Sequence, residues 1–178
     1  MSKNLIKIFV MILAIALVIT GCSKPNIAER TMGEIKYVVD KNWEVTEGED
    51  AVVIMISPED GANDFGANIA ITRNDDDENA LMKEKDLQES LLTFIDQTSN
   101  MDDTEITSDA VMDEVKVLDE TAASLEFSAK ISGLEGKFIV YKVLKNNILY
   151  TFNYNSLIQD ADKYVPVFEK FVKAVELA

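Results

Sequence analysis

The chain has 178 residues, with 17 basic and 32 acidic side chains, no histidine and a single cysteine, Cys22. The lack of histidine excludes Ser-His-Asp and Cys-His catalytic pairs and a histidine-bound zinc, and one cysteine cannot form an internal disulfide. A formal net charge of −15 argues against nucleic acid as a partner, because phosphates need a basic surface. The length suits one domain with its own core.

The first 21 residues have the pattern of an export signal. Lys3 and Lys7 precede an unbroken run of twelve apolar residues, from Ile8 to Ile19. As a helix this run would span about 18 Å, well short of the roughly 30 Å hydrocarbon core of a membrane. We therefore expect a cleaved signal peptide over 1–21 rather than a permanent transmembrane helix.

The signal ends in Ile19-Thr20-Gly21-Cys22, which resembles the lipobox of bacterial lipoproteins: an aliphatic residue, two small residues and an obligatory cysteine. The resemblance implies cleavage before Cys22 and a diacylglyceryl group on its thiol. Two acyl chains suffice for stable anchoring, whereas one is marginal. We therefore expect a lipid anchor at Cys22 that holds the protein on the extracytoplasmic face of a bacterial cell membrane. The alternative is an ordinary signal peptide with an incidental cysteine.

The mature chain is expected to consist of the lipidated cysteine and a tether over 22–34, followed by a single domain over 35–178. Alternating and continuous apolar stretches predict its strands. In chain order these lie at 35–39, 43–45, 51–56, 67–72, around 106, 111–118, 122–131, 138–144 and 148–154. The segments 57–66 and 132–136 are predicted loops. Asn146 and Asn147 are predicted to form a two-residue hairpin turn, since asparagine tolerates positive φ.

Two helices are predicted from apolar residues that recur at helical spacing. The first covers about 80–98, and its apolar face comprises Leu87, Leu91, Phe94 and Ile95. The second begins near Asp160 or Asp162 and runs to about Glu176, with an apolar face of Tyr164, Phe168, Phe171 and Val175. Strands in runs that are broken by helices indicate an α+β domain, in which an antiparallel sheet carries packed helices.

Several short motifs resemble the PsbP/Mog1-like superfamily over about residues 35–176. They are Trp43 after an early tyrosine strand, Ser57-Pro58, Ala67-Asn68-Ile69, Phe94-Ile95-Asp96, Thr121-Ala122, Leu125-Glu126-Phe127, the strand from Tyr150 to Tyr154, and Tyr164-x-Pro166-x-Phe168-Glu169. The resemblance implies an α-β-α sandwich and a binding or accessory role rather than catalysis. Where the family often has a glycine before the alanine strand, this chain has Asp119-Glu120-Thr121.

The densest polar cluster lies just before the first predicted helix. Asp75, Asp77 and Asn79 match the first half of a D-x-D-x-N calcium loop, and Asp86 falls at loop position twelve. However, Ala80 replaces the glycine that the sharp turn needs, and position twelve is an aspartate rather than the longer, bidentate glutamate. We therefore expect no metal site, and we interpret the cluster as a solvated acidic turn near the positive end of a helix. A surface protein that binds calcium or another cation remains an alternative.

An aromatic ligand pocket and a pair of catalytic carboxylates are two further kinds of site that the sequence allows. Trp43, Tyr141, Tyr150 and Tyr154 could line a ligand pocket, although aromatic residues at strand spacing more often fill a core. A carboxylate-based hydrolase needs two acids roughly 5 to 9.5 Å apart, and a chain this acidic offers many pairs that the sequence cannot distinguish.

The leading hypothesis is a lipid-anchored extracytoplasmic binding or accessory module, without catalytic activity and without a cofactor. Besides the membrane, its expected partner is a protein or another cationic component at the cell surface. Loss of Lys3 and Lys7 with the signal would make the exported part more acidic still. Because bacterial surfaces are usually anionic, such a domain should be repelled by them and depend on its covalent anchor.

Overall fold

The computed structural model describes residues 29–39, 43–47, 53–56, 67–76, 79 and 81–177. Within these residues the strands are β1 (Glu29–Met32), β2 (Ile35–Val38), β3 (Glu44–Glu47), β4 (Val53–Ile56), β5 (Asn68–Asn74), β6 (Thr104–Ile106), β7 (Val111–Val117), β8 (Glu120–Ile131), β9 (Leu134–Lys145), β10 (Ile148–Leu157) and β11 (Glu176–Leu177). The helices are α1 (Glu84–Ser99) and α2 (Ala161–Ala174), and a short 3₁₀ helix, Ile158–Asp160, precedes α2.

One eight-stranded antiparallel sheet forms the centre of the molecule. Its strand order is β3-β4-β5-β10-β9-β8. The outer edge of β8 pairs with β7 over its first half, from Glu120 to Glu126, and with β6 near its end, from Ala129 to Ile131. The predicted strand around Ile106 is therefore β6, at the sheet edge. The predicted strand at 51–56 is β4, which lies between β3 and β5. This sheet, with its two helices, confirms the predicted α+β class.

A second, small sheet has the order β1-β2-β11. Strand β1 lies within the segment 22–34 that the sequence predicts as a tether, so folded structure extends back at least to Glu29; residues 22–28 lie outside the described residues. The sequence of β1 shows no apolar alternation, and its pairing with β2, with Glu29 opposite Val38, is what makes it a strand. The second helix was predicted to run to about Glu176, and this prediction is wrong. Helix α2 ends at Ala174, and Glu176 belongs to β11, where it pairs with Lys36.

The main sheet is covered on both faces, which is the α-β-α arrangement that the resemblance implies. On one face, Leu87 and Leu91 of α1 pack against Leu125, Phe127 and Val140 of the sheet. On the other face, α2 and the small sheet enclose a larger core with β5, β9 and β10. Because successive residues of a strand point to opposite faces, β8 and β9 contribute to both cores.

Helix α1 begins at Glu84, four residues later than the sequence predicts. The carboxylate of Asp86 accepts a hydrogen bond from the backbone N–H of Lys83 at 2.6 Å, which defines the first turn. The predicted apolar face is confirmed, because Leu87, Leu91 and two further residues, Phe94 and Ile95, pack in one core cluster.

Three tight turns connect the long strands. Asn146 and Asn147 have φ values of 55° and 63°, which confirms the predicted turn between β9 and β10. Leu118 and Asp119 form a similar turn between β7 and β8, with φ values of 53° and 65°, although neither residue is a glycine. The predicted 132–136 loop is shorter than expected, since Ile131 already pairs with Leu134.

Candidate binding sites

Cys22, the predicted lipid attachment point, and the signal before it lie outside the described residues. Anchoring through this residue therefore stays a prediction. Among the residues that the structure describes, no helix combines the length and the apolar character that crossing a membrane requires.

Three of the four weak candidates for cation ligands already take part in local hydrogen bonds. Oδ2 of Asp75 accepts from Nη1 of Arg73 at 2.8 Å. Oδ2 of Asp86 accepts from the Lys83 backbone N–H, as described above. The buried side chain of Asn79 donates through Nδ2 to the backbone oxygen of Asn74 at 2.8 Å. These contacts assign the three residues to an ion pair, a helix cap and a turn.

The fourth candidate, Asp77, lies outside the described residues. Across the described part of the chain, no three histidine, cysteine, aspartate or glutamate side chains come together as a metal site would need. The calcium-loop spacing is therefore matched in sequence, while its described members point to different structural roles.

The predicted aromatic candidates belong mainly to the core beneath α2. Trp43 packs edge-on against Tyr164, with ring centroids 5.8 Å apart. Tyr154 stacks on Phe168 at 5.4 Å, and both Tyr150 and Tyr154 are buried, each with 1% of its surface exposed. Core filling, which is the commoner role of such residues, is thus observed for these three aromatic side chains.

A polar network joins the small sheet to the main sheet. Glu34 lies in the turn between β1 and β2, and its Oε1 accepts hydrogen bonds from the hydroxyl of Tyr150 and from Nε of Arg73, the latter at 3.1 Å. Arg73 and Tyr150 are cross-strand neighbours on β5 and β10, which brings both donors to one carboxylate. Asp75 completes the network through its ion pair with Arg73.

The network favours its charged carboxylate and its neutral phenol. The hydrogen bond from Tyr150, followed by Arg73, lowers the pKa of Glu34 against the opposing effect of burial. Burial, followed by the bond to Glu34, raises the pKa of Tyr150. The hydrogen bond to Asp75 is the largest cause that raises the pKa of Arg73. The network therefore links the two sheets, and we refer to it as the Glu34 clasp. Sequence reasoning missed Glu34 because its hydrogen-bond partners are remote in the chain.

A cleft of about 500 Å³ opens between the first half of α2 and the adjoining face of β8 and β9. On the sheet side, the carboxylate of Glu126 forms an ion pair with the ammonium of Lys137. The helix side has an apolar wall and an acidic rim, formed by Ile158, Val165, Pro166 and Asp162. We refer to this feature as the α2 cleft.

Tyr141, the fourth aromatic candidate, lies beside the α2 cleft on β9. Its ring packs against Phe168 with centroids 5.2 Å apart, and its side chain is partly exposed. Burial is the main cause that raises the pKa of Tyr141, and the carboxylates of Glu169 and Glu126 add to it. Glu126 lies two residues along β8 from Ser124, the residue opposite Tyr141, and Glu169 directly follows Phe168 on α2.

Two further features of the surface are a groove and the Lys142 ammonium. The groove, of about 570 Å³, lies near the β8–β9 turn and is lined by Asp103, Thr104, Glu105, Lys130, Ser132 and Gly133; none of these residues has a large apolar side chain. Lys142 lies under α1, where its Nζ donates to Oγ of Ser90 at 3.0 Å. Burial lowers the pKa of the Lys142 ammonium. Among these described features, the α2 cleft combines several charges with the apolar residues Ile158, Val165 and Pro166.

No protein-family model and no curated protein sequence matches this chain. Among solved structures, the chain is similar to cyanobacterial PsbP (CyanoP) from Synechocystis sp. PCC 6803, at 12% identity and a TM-score of 0.57 over 89% of this chain and 95% of that one. It is also similar to LpqN of Mycobacterium tuberculosis, described as involved in cell envelope biogenesis, at 9% identity and a TM-score of 0.56 over 86% and 90% of the two chains.

A third similar structure, from Bacteroides thetaiotaomicron, has 11% identity and a TM-score of 0.56 over 88% of this chain and 49% of that one. At such identities the likeness shows the fold alone. The chain therefore has a PsbP-like fold, as its motifs led us to expect.

Proposed function

We propose that this protein is a lipid-anchored extracytoplasmic accessory module, which binds another component of the cell envelope and does not catalyse a reaction. The observation that carries the proposal is the correspondence of fold with CyanoP and LpqN. It extends over 89% and 86% of this chain and over 95% and 90% of theirs. LpqN is described as involved in cell envelope biogenesis, and a role at the envelope is the part that we extend to this chain.

The lipobox-like sequence that ends at Cys22 supports the membrane attachment. From Cys22 to Glu29, where β1 begins, the backbone advances seven residues. At the maximum extension of a peptide chain, this segment reaches no more than about 25 Å. A domain anchored in this way would stay close to the membrane, where it could hold a partner.

The charged groups of the described sites support binding over catalysis. A catalytic general acid at neutral pH needs a carboxyl group whose pKa is raised, whereas hydrogen bonds lower the pKa of Glu34. Glu126 is held by Lys137 in an ion pair. The carboxylate of Glu34 is thus stabilised in its charged form, and that of Glu126 already makes an ionic contact.

The anchoring part is tested with Cys22→Ser in the native host. We expect the variant to lose incorporation of a labelled fatty acid, to stay unprocessed and to lose stable attachment as a mature protein. The control is Ser23→Ala, which leaves the cysteine in place and should be processed normally. A Cys22→Ser protein that is still mature and membrane-bound contradicts the proposal.

The accessory part is tested by cross-linking in intact cells followed by mass spectrometry. We expect the wild-type protein to cross-link reproducibly to an envelope component, and Cys22→Ser to lose those cross-links. Discovery of a turnover activity that one buried-carboxylate substitution abolishes would overturn the non-catalytic assignment.

A further inference from the structure

The α2 cleft has the shape and charge to receive a cationic side chain. We propose that it binds a segment of a protein partner that presents a lysine or arginine next to an apolar residue. This inference rests on the binding role proposed above, and it adds the location of the surface and the chemistry of the occupant.

The apolar wall of the cleft is accessible to a partner. Ile158 is 40% exposed, and Val165 and Pro166 line the same cleft on the adjoining turns of α2. Lysine and arginine bury their methylene stems along apolar surface while their charged heads stay in a polar environment. The wall therefore suits the stem of a cationic side chain and an apolar neighbour in the same segment.

The charges around the cleft are predominantly negative. Lys137 is matched by its ion pair with Glu126, whereas Asp162 and Glu169 have no ion-pair partner among the described residues. Lys163, the next residue along α2 from Asp162, places its Nζ over the ring of Tyr164 at 4.7 Å. An incoming cation thus meets the unpaired carboxylate of Asp162 in the cleft, and Glu169 lies one helical turn beyond Val165 on α2.

Tyr141 lies on the same face of the sheet as Glu126, which lines the cleft. Its hydroxyl has no hydrogen-bond partner in the described part of the chain, and it lies near the carboxylates of Glu126 and Glu169. A phenol can donate to a carboxylate and accept from an N–H group at the same time. It can therefore accept a hydrogen bond from a guanidinium or ammonium that the two glutamates attract.

The occupant is assigned to a protein segment because the cleft combines an apolar wall with separate charges. A simple polycation would engage the carboxylates and leave the wall uncovered. The overall net charge of −15 would attract any cation at long range, so selectivity must come from the cleft itself. Comparison of a peptide with a polyamine tests this distinction.

The test measures binding of a fluorescent decapeptide, in which arginine and leucine alternate, to the detergent-purified full chain. Its counterpart with glutamate for arginine and the polyamine spermine are the comparison ligands. The variants are Glu169→Gln, Ile158→Ala and Tyr141→Phe. The matched control is Glu89→Gln, which removes an equal charge from an exposed position of α1, on the opposite face of the sheet.

We expect the arginine peptide to bind and the glutamate peptide not to bind. Each substitution in the cleft should weaken binding about twofold to fivefold, the size expected for a partly exposed charged or apolar contact. Glu89→Gln should leave the affinity unchanged, and spermine should compete weakly. Thermal unfolding of each variant confirms that the fold is intact.

Three results would overturn the inference: no binding of the arginine peptide, equal losses for Glu169→Gln and Glu89→Gln, or spermine binding as tightly as the peptide. The last two would indicate attraction by the acidic surface as a whole. Because this assay does not depend on Cys22, its failure leaves the anchoring result unaffected. Equally, a failure of the anchoring test leaves the cleft measurement interpretable.

Discussion

The hydroxyl of Tyr150 donates a hydrogen bond to the carboxylate of Glu34, a residue 116 positions earlier in the chain. The same carboxylate oxygen accepts from Nε of Arg73 at 3.1 Å. One side chain of the β1–β2 turn thereby contacts two neighbouring strands of the main sheet. Hydrogen bonds to a charged group are stronger than neutral ones, so this clasp should contribute measurably to the stability of the domain.

The first prediction concerns the Tyr150 hydroxyl. Tyr150→Phe should lower the free energy of unfolding by about 1 to 2 kcal/mol, because it removes one hydrogen bond to a partly exposed carboxylate. Urea denaturation measures the change. Tyr141→Phe is the matched control and should change stability by less than about 0.5 kcal/mol, since its hydroxyl has no partner in the described residues. Equal effects of the two substitutions would contradict the clasp.

The second prediction concerns the pH dependence of Glu34. Its pKa lies below the usual 4.5 in the folded protein, so its stabilising effect is present above that value and is lost as the pH falls through the folded pKa. Wild type should therefore be more stable than Glu34→Gln at pH 6 to 7, and the difference should shrink below about pH 4.5. Urea midpoints over this range provide the measurement. A difference that does not vary with pH would argue against this role.

The third prediction concerns alkaline titration of the buried tyrosines. Burial raises the pKa of Tyr154 to about 12, so its contribution to stability is present below the ordinary value of about 10 and is lost as the pH rises through the folded pKa. Phenolate absorbance should show a late step near pH 12, or a step coupled to unfolding. Tyr154→Phe should reduce that step. Titration of all five tyrosines near pH 10 in the folded protein would be inconsistent with this packing.

The fourth prediction concerns the turn between β9 and β10. Asn147 has a φ of 63°, a conformation that glycine adopts without steric cost. Asn147→Gly should keep or slightly raise the melting temperature, whereas Asn147→Val should lower the free energy of unfolding by about 1 to 2 kcal/mol. Calorimetry distinguishes the two substitutions. Equal melting temperatures for the valine and glycine variants would speak against a left-handed turn.

The fifth prediction concerns Lys142, whose ammonium is partly buried under α1 and contacts Ser90. Burial lowers its pKa, so the unfolded chain binds this proton more tightly and stability should rise as the pH approaches 10.5. Lys142→Met should be as stable as wild type or more stable at pH 7 and should lose this pH dependence. The Ser90 hydroxyl keeps its own bond to the Leu87 carbonyl. A strongly destabilised Lys142→Met would instead indicate an essential role for the amine.

Several elements followed from local patterns in the sequence. The helical spacing of Leu87 and Leu91 predicted the packed face of α1, and that of Tyr164, Phe168 and Phe171 predicted the face of α2. These predictions succeed because the apolar side chains of a helix must lie on one face to be buried together in a core. The Asn146-Asn147 turn succeeded for an equally local reason, the tolerance of asparagine for positive φ.

Two short strands, β1 and β11, were missed because their structure depends on distant partners. Strand β1 has the sequence Glu-Arg-Thr-Met, which shows no alternation, and it pairs with β2. Strand β11 has two residues and pairs with the same strand from near the end of the described chain. The calcium-loop spacing is another feature that only the structure could interpret, since a spacing does not reveal that the carboxylate of Asp86 accepts a hydrogen bond in the first turn of α1.

Apolar periodicity and turn residues, which depend on neighbours along the chain, were sufficient for the α+β class and the order of the main elements. The anchor at Cys22 is expected from the resemblance to the lipobox and stays a prediction. The Glu34 clasp and the α2 cleft required the folded chain. The cleft brings together Glu126, Lys137 and Asp162 from two strands and a helix. Their proximity depends on strand order, register and the position of α2 over the sheet. Those features arise from packing between remote segments, which a pattern within one segment does not encode.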